Sequence, residues 1–436
     1  MEQENSSRPE SLYTWCCFTI AAFALIPPLV VFCYGKADAP LPKVVQEMRL
    51  SLYYPQLLSR DGQIGIDLYH SFIFAEAWSD GLSPYGPLPD RYFRNYSLGR
   101  APVHPPFTYW IYRSLVPLGF PTVRSIHTIV KLAVFFLSIV AVLWPWRDKR
   151  ILFPAVFVSI CCIFFSPAGL SELERGQSEL FVASAYMLVF ATVFQSRALW
   201  PFLAGILASL KISSLLFLGP FALLALAAGR ERFGRIALAL AVMFVLLLLF
   251  FPYFPGFARS IIDGDLLAGG ISGKSNPAGV SFALLLPFYV GKTVIIESTL
   301  LFLGMLFFFH GKEQRAGAFL VASFPLAVML VLQGIGFRTF SWEYKSVEVL
   351  ALLPGLYLWL RAVRIPPWFQ RVVASLYVVL LITVSHLFPF RGGILLGGRT
   401  DMAWVYFVAS CMFLFLAVIG MLYGIRNPVE YKKETV

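Results

Sequence analysis

The sequence predicts an all-α polytopic membrane protein, and two observations support that fold class. Of the 436 residues, 58% are hydrophobic and only 14% are charged, which is too apolar for an ordinary water-soluble protein. Stretches of about 17 to 25 apolar residues, the length that crosses a hydrocarbon core, recur along most of the chain. Because a helix satisfies its own backbone hydrogen bonds inside a bilayer, these stretches are predicted to be transmembrane helices.

Counting the paired element as two short helices, the apolar stretches predict about twelve crossings, to within about one or two. They are Leu12 to Tyr34, Thr122 to Trp144, Ile151 to Pro167, Glu179 to Gln195, a paired element from Trp200 to Ala228, Phe233 to Phe254, Pro287 to Phe309, Gly317 to Gln333, Ser346 to Leu360, Val372 to Phe388 and Met402 to Tyr423. The first stretch lacks a small-residue cleavage site, so we interpret it as a retained anchor. Residues 1–436 are then one integral membrane domain.

Orientation follows from the short loops between these stretches. Five basic segments share one side, which the positive-inside rule makes cytoplasmic: 147–150, 230–235, 312–315, 361–371 and 426–433. Both termini are then cytoplasmic. We expect a multi-pass protein of a bacterial inner (plasma) membrane.

The paired element from Trp200 to Ala228 is required by this topology. Arg197 and Arg230 must lie on the same side, but the chain between them is too long for one crossing. It must enter and return as two short helices, with Lys211 near the turn. Interrupted helices of this kind are tolerated where they line a protein or water cavity.

Two long segments fall on the outer side, at residues 35–121 and 255–286. The first has a helical pattern from Val44 to Leu58 and ends in Val103 to Tyr112, whose aromatic residues are typical of a helix that lies at the membrane interface. We therefore predict amphipathic helices in this long first loop. The outer segments hold nearly every residue that could carry chemistry.

Asp67 is the leading candidate for a catalytic residue. It lies in the first outer segment among Ile66, Leu68, Phe72 and Phe74, an apolar setting that can tune a carboxylate for proton abstraction. The alternative interpretation is an ordinary solvated loop charge, since Asp is seldom buried.

A series of short motifs resembles glycosyltransferase family 87. In order, they are Asp67-Leu-Tyr with Gly81-x-x-Pro-Tyr85, His104-Pro-Pro, Glu174-Arg-Gly-Gln177, Ala208-Ser-Leu-Lys211, Ser275-Asn-Pro-Ala-Gly-Val, and Ser341-Trp-Glu-Tyr-Lys345 followed by Leu353-Pro354. They occur in the family's order and cover most of the chain. The resemblance implies the C-type glycosyltransferase (GT-C) fold and a polyprenyl-phosphate-linked sugar donor. Many members of this family are α-mannosyltransferases.

The resemblance also implies roles for particular residues. Asp67 corresponds to the family's catalytic base, Gly176-Gln177 to its outer-loop Gly-Gln, and Lys211 to the Lys after a short apolar helix. The family's Ser-Trp-(Asp/Glu)-His-His block ends here in Tyr344 and Lys345, so both histidines are missing. This departure suggests a changed substrate, or phosphate binding by Lys345 in place of imidazole.

Basic residues on the outer side violate the orientation rule and suggest an anionic ligand. They are Arg175, Arg259, Lys274, Arg338, Lys345, Arg391 and Arg399. Arg or Lys side chains would stabilise a departing lipid phosphate, and we expect Lys345, Arg338, Lys211 and Arg175 to bind it. The alternative is a set of side chains that bind lipid headgroups.

Aromatic and polar residues of the outer segments are candidates for binding the sugar or the acceptor. The set is Gln177, Glu343, Trp342, Tyr344, His70, His104 and Tyr85. We predict no metal ligands and no cofactor, although Asp263-Gly-Asp265 leaves a Mg²⁺ or Mn²⁺ role open. The six cysteines fall in apolar stretches and indicate no metal spacing.

These observations predict an enzyme that transfers a hexose, with mannose first, from a polyprenyl phosphate to an acceptor hydroxyl at the extracytoplasmic face, with inversion. The expected partners are the lipid-linked donor, a glycan or glycolipid acceptor and membrane lipids, and not nucleic acid. Two alternatives remain: a transporter or flippase of lipid-linked glycans, and a polymerase or ligase of lipid-linked oligosaccharides.

Overall fold

The structure, a computed structural model, describes residues 8–34, 65–93, 102, 104–146, 149–260, 288–308, 311–336, 345, 347–383 and 401–427. Within these residues the chain forms helices joined by turns and has no strand. The prediction of an all-helical protein is therefore confirmed for the described part of the chain.

The helices are numbered here in chain order. They are α1 (Arg8–Tyr34), α2 (Ile66–Ser79), α3 (Pro106–Leu115), α4 (Phe120–Leu143), α5 (Lys149–Phe165), α6 (Pro167–Arg175), α7 (Glu179–Ala191), α8 (Leu199–Ser209), α9 (Leu215–Ala225), α10 (Arg230–Leu248), α11 (Phe288–Phe308), α12 (Lys312–Gly336), α13 (Val347–Leu350), α14 (Leu353–Ala362), α15 (Pro367–Ile382) and α16 (Asp401–Arg426).

Several of these helices are long and apolar enough to cross a membrane. Among the described residues, four meet that criterion by length and composition: Pro9–Ile26, Phe120–Trp146, Lys312–Gly336 and Trp404–Arg426. Two further pairs of helices, each bent by 75°, raise the number to six if each pair is one broken span. The twelve crossings and the GT-C fold stay predictions, as do the orientation and the cellular location.

Two predicted spans differ from the observed helices. Ser346 to Leu360 was expected as one helix, but the chain breaks between α13 and α14. Pro354 lies in the first turn of α14, where its missing N–H is tolerated. Helix α7 has 13 residues, all of them buried, so it is a central core helix surrounded by other helices rather than a lipid-facing span.

The expected pair of short helices is present as α8 and α9. Lys211 lies in the break between them and has an extended backbone, with φ −149° and ψ 112°. The Ser214 hydroxyl lies 2.8 Å from each of the carbonyl oxygens of Ala208 and Lys211 and so ties the two sides of the break together. The break thus presents Lys211 beside helices α8 and α9 without unsatisfied backbone nearby.

The long first outer segment contains α2 and α3, which pack against each other. The predicted interfacial helix from Val103 to Tyr112 corresponds to α3, which buries Phe107 and Tyr109 and exposes Trp110. The predicted helix from Val44 to Leu58 lies outside the described residues. Asp67 lies within the first turn of α2.

Candidate functional site

Asp67 is held by two side chains from a distant part of the chain. Arg175 donates from Nε to Asp67 Oδ2 at 2.6 Å and from Nη2 to Oδ1 at 2.9 Å, and Gln177 donates from Nε2 to Oδ2. The Asp67 side chain is 17% exposed and that of Arg175 is 10% exposed. A two-point Arg–carboxylate contact fixes the plane of the carboxylate as well as its position. The site therefore contains a rigidly oriented carboxylate that still reaches solvent.

The turn that carries Arg175 and Gln177 joins α6 to α7, and we call residues 172–179 the site turn. Gly176 has φ 68°, in the left-handed region that ends helices and favours glycine. A Cβ at this position would lie 2.7 Å from Cβ of Leu68. A glycine is therefore required both for the turn and for its close contact with α2, which brings Arg175 and Gln177 to Asp67.

The surroundings of Asp67 differ from the apolar setting that the sequence suggested. Leu68 and Phe72 are buried in an apolar cluster with Tyr112 and Val123, and Phe74 is buried in a second cluster. Leu68 and Phe72 point to other faces of α2 than Asp67 does, and Phe74 lies two turns further along the helix. The carboxylate thus meets polar partners, and the helix N-terminus adds a favourable partial positive charge.

Lys211 joins the same group of residues from the α8–α9 break. Its Nζ donates to Glu179 Oε1 at 2.5 Å and lies 3.4 Å from Gln177 Oε1. The amide of Gln177 consequently bridges Lys211 and Asp67. Thr108 of α3 donates from its hydroxyl to the carbonyl oxygen of Leu210 at 2.9 Å, which holds the break in place.

A second ion pair lies under the site turn. Lys131 donates to Glu172 Oε1 at 3.3 Å, and neither side chain has any exposed surface. Lys131 also donates to the carbonyl oxygens of Glu172, at 3.0 Å, and Gln177, at 2.8 Å. The sequence analysis singled out neither Glu172 nor Glu179. Their only signal was that each is an acid beside a long apolar stretch, where a buried charge needs a compensating partner.

His104 lies among the charged groups of the site. Burial lowers its pKa to about 3, with smaller contributions from Lys211 and His70 in the same direction. Its Nδ1 is buried and has no hydrogen-bond partner among the described residues. His70 packs its ring edge-on against Phe74 at 4.9 Å between centroids. His104 is thus a neutral imidazole at ordinary pH, with a polar ring atom that a ligand hydroxyl could satisfy.

Tyr85 belongs to a neighbouring aromatic cluster. Its ring lies 5.8 Å from those of Tyr109 and Phe257, and its hydroxyl donates to the carbonyl oxygen of His104 at 2.7 Å. The His104 N–H in turn donates to the Tyr109 hydroxyl at 3.1 Å. Tyr85 therefore supports the backbone of His104, and its role in binding the sugar or the acceptor stays a prediction.

Other predicted site residues are described only in part. Lys345 is buried, and α13, which begins two residues later, packs against both α6 and α7. Arg338, Trp342, Glu343 and Tyr344 lie outside the described residues. So do Asp263 and Asp265. Within the described ranges, no group of three His, Cys, Asp or Glu side chains is arranged to hold a metal ion.

Three ion pairs lie at the site or directly beneath it. Three carboxylates, from Asp67, Glu172 and Glu179, face three cations, from Arg175, Lys131 and Lys211. Each carboxylate has a cation within a salt-bridge distance, which buried charges require. The Asp67–Arg175 pair is partly exposed at both side chains, and the Lys211–Glu179 pair is partly exposed at Lys211. The Lys131–Glu172 pair has no exposed side-chain surface. A ligand would therefore meet Asp67, Arg175 and Lys211, with Lys131 and Glu172 behind them.

Compared with known proteins, the chain matches no protein-family model, no curated protein and no solved structure. The resemblance to glycosyltransferase family 87 therefore stays a prediction made from the residues, and it is the geometry above that bears on function.

Proposed function

We propose that this chain is a membrane glycosyltransferase that moves a hexose such as mannose from a polyprenyl phosphate to an acceptor hydroxyl at the extracytoplasmic face. The observation that carries the proposal is the convergence at Asp67. Asp67, Arg175, Gln177 and Lys211 were selected from the sequence as site residues, and they lie in three separate segments. Their side chains form one connected set of hydrogen bonds.

The proposed reaction is a single displacement. The acceptor hydroxyl oxygen attacks the anomeric carbon, the bond from that carbon to the phosphate oxygen breaks, and the polyprenyl phosphate leaves with the electron pair. Asp67 takes the hydroxyl proton, and the anomeric configuration inverts. Positive side chains neutralise the phosphate as its charge develops.

The contacts of Arg175 refine its proposed role. Arg175 was predicted to bind the donor phosphate, but its guanidinium forms a two-point contact with Asp67. This geometry favours a role in orienting the base. Lys211, with Lys345 and Arg338 from the sequence prediction, is then left to bind the phosphate. An ionised carboxylate has about four lone-pair positions, of which Arg175 and Gln177 use three, so one remains for the acceptor hydroxyl.

The test is transfer by the Asp67→Asn variant. The amide keeps the size of the side chain but cannot accept the proton, so transfer should fall by about 10²- to 10⁴-fold, the usual contribution of a general base. The measurement is movement of radiolabel from polyprenyl-phosphate hexoses to lipid or glycan acceptors in membranes that contain the protein. Wild-type activity in Asp67→Asn would overturn the proposal.

A matched control lies on the same helix. Asp80 follows α2, and its half-exposed carboxylate accepts a hydrogen bond from the Tyr92 hydroxyl at 2.5 Å. Asp80→Asn makes the same chemical change outside the site turn and should leave transfer unchanged. Equal yield and equal thermal unfolding of both variants in detergent would exclude a folding defect as the cause of lost activity.

One observation favours a second candidate, a transporter or flippase for lipid-linked glycans. The ion pair of Lys131 and Glu172 is wholly buried, and Lys131 lies near the middle of a helix long enough to cross a membrane. Ionisable residues inside spans often mark transport pathways. A transporter would move fluorescent polyprenyl-phosphate sugar across proteoliposomes in the absence of acceptor, whereas the transferase would release polyprenyl phosphate only when acceptor is present.

A further inference from the structure

The carbonyl oxygen of Gln177 accepts hydrogen bonds from two side chains of one helix. Lys131 Nζ lies at 2.8 Å and His127 Nε2 at 3.1 Å. The two residues are four positions apart on α4 and therefore lie on the same helix face. Both donors act on the peptide of Gln177, whose side chain contacts Asp67.

Lys131 has no hydrogen-bonding capacity left over. Its ammonium group has three N–H donors, and it has three acceptors: the two carbonyl oxygens of Glu172 and Gln177, and Glu172 Oε1. Glu172 Oε1 also accepts from the Leu180 N–H at 3.3 Å, across the site turn. Lys131 thus connects both ends of this turn, and its side chain is 0% exposed.

His127 acts on the same carbonyl as a neutral imidazole. Because the carbonyl oxygen of Gln177 can only accept, Nε2 must carry the proton, and Nδ1 is left as an acceptor. The Tyr112 hydroxyl lies 2.8 Å from Nδ1, which in this tautomer accepts its hydrogen bond. A chain of hydrogen bonds therefore runs from α3 through His127 to the site turn.

We propose that Lys131 and His127 are positioning residues that set the geometry of Asp67 through the backbone of Gln177. This inference rests on the proposed function. Neither residue reaches the acceptor or donor in the arrangement described, because Gln177 lies between them and Asp67. They set the positions of the Gln177 side-chain amide and the Arg175 guanidinium relative to the Asp67 carboxylate. In an active site a misplacement of about 1 Å can cost roughly 100-fold in rate.

The experiment combines hydrogen exchange with kinetics. Exchange of backbone amides in the site turn, residues 172–179, is followed by mass spectrometry in nanodiscs, and kcat and KM for the labelled donor are measured on the same preparations. Lys131→Met removes the ammonium group with its three hydrogen bonds, and His127→Phe removes the ring N–H; each keeps an apolar side chain of similar length or shape. Tyr112→Phe removes the hydrogen bond behind His127 and the contact of the Tyr112 hydroxyl with the Ser178 side chain, and it leaves both donors to the Gln177 carbonyl oxygen in place.

The expected effects are graded. Lys131→Met should give the fastest exchange and lower kcat by about 100-fold, since a positional error of about 1 Å has that effect, with KM nearly unchanged. His127→Phe should be intermediate and Tyr112→Phe the mildest. His127→Gln, whose amide can again donate to the carbonyl, should recover part of the lost kcat. A merely structural role would not give this split between kcat and KM or this recovery.

Two controls keep the test decisive. Ser138→Ala alters α4 about two turns away, where the Ser138 hydroxyl donates to the Val134 carbonyl oxygen at 2.8 Å, and should change neither exchange nor kcat. If Lys131→Met yields no folded protein, the double variant Lys131→Met with Glu172→Gln is used in its place, because it removes both buried charges together.

The outcomes separate this inference from the proposed function. Unchanged exchange and kcat in the Lys131 and His127 variants would overturn the inference even if Asp67→Asn is inactive. Faster exchange in the site turn together with a fully active Asp67→Asn would instead overturn the proposed function, while positioning of the turn by Lys131 and His127 would stand.

Discussion

The site turn and helix α12 are both largely buried, but they are stabilised in opposite ways. The ion pair of Lys131 and Glu172, which ties the site turn to α4, has no exposed surface and is stabilised by hydrogen bonds and opposite charge. In α12, residues 317–336 are all buried and almost all apolar. Helices α12 and α16 pack together more extensively than any other pair in the described chain.

The difference shows which kind of error each region tolerates. An apolar interface depends on volume, so a smaller or larger side chain costs energy in proportion to the cavity or overlap. A buried charged network depends on partners, and removing one group leaves another unpaired at the full cost of desolvation. Only the polar region offers groups for chemistry, which is why the proposed site lies there.

The largest expected effect comes from breaking the ion pair under the site turn. Lys131→Met leaves the Glu172 carboxylate buried without its cation, and unfolding free energy should fall by about 3–5 kcal/mol. Lys131→Met together with Glu172→Gln removes both charges and should recover most of that loss. The measurement is a double-mutant cycle from thermal or denaturant unfolding in detergent.

Additive losses in that cycle would contradict the ion-pair interpretation. They would mean that Lys131 stabilises the fold by packing alone, as the residues of α12 do, and the contrast between the two regions would disappear.

Much of the site could be predicted from the sequence because its residues lie in short, ordered motifs. Asp67, Arg175, Gln177 and Lys211 were each chosen without a structure, and their side chains meet. The break at Lys211 was also predictable, since the basic residues on either side of α8 and α9 had to share one face. In each case the signal is local or follows from charge counting along the chain.

The pairing partners could not be predicted in the same way. Lys131 and Glu172 are 41 residues apart, and nothing in either local sequence indicates the other. A single polar residue in an apolar stretch shows that a partner is needed, but not which one. For the same reason the buried helix α7 resembled a span, because a helix that is apolar all round is expected both in lipid and in a protein core.

An intermediate effect on unfolding free energy is expected when the pH is lowered, and it tests the polar region through His104. Burial lowers the pKa of His104 to about 3, from about 6.5 in the unfolded chain. Between these values the unfolded chain binds a proton that the folded protein does not, so stability falls as the pH falls from about 6.5 to about 3. The loss is roughly 1.4 kcal/mol per pH unit, or about 2 kcal/mol at pH 5.

The His104→Phe variant isolates this contribution. It removes the titrating group and keeps a ring of similar shape beside Tyr109. As the pH falls from 7.5 to 4.5, wild type should lose unfolding free energy relative to the variant, with both proteins measured in detergent. A difference that does not change with pH would show that His104 is not held neutral by its surroundings.

The last prediction tests the apolar region by volume alone. Gly424 of α16 lies so close to α12 that a Cβ would be 2.7 Å from Cα and 2.8 Å from N of Ala318. Because the obstacle is backbone, the helices must move apart, and Gly424→Ala should cost about 1–3 kcal/mol of unfolding free energy. Gly304→Ala is the matched control, since a Cβ there would meet no atom within 4 Å. In the interior of α11 that change should be neutral or stabilising by up to about 1 kcal/mol.

Transfer activity should stay at the wild-type level in any Gly424→Ala protein that remains folded, because α16 provides none of the described site contacts. Equal stability of the two alanine variants would mean that α12 and α16 do not approach each other closely at Gly424, and a loss of activity out of proportion to stability would mean that the apolar pair also shapes the site.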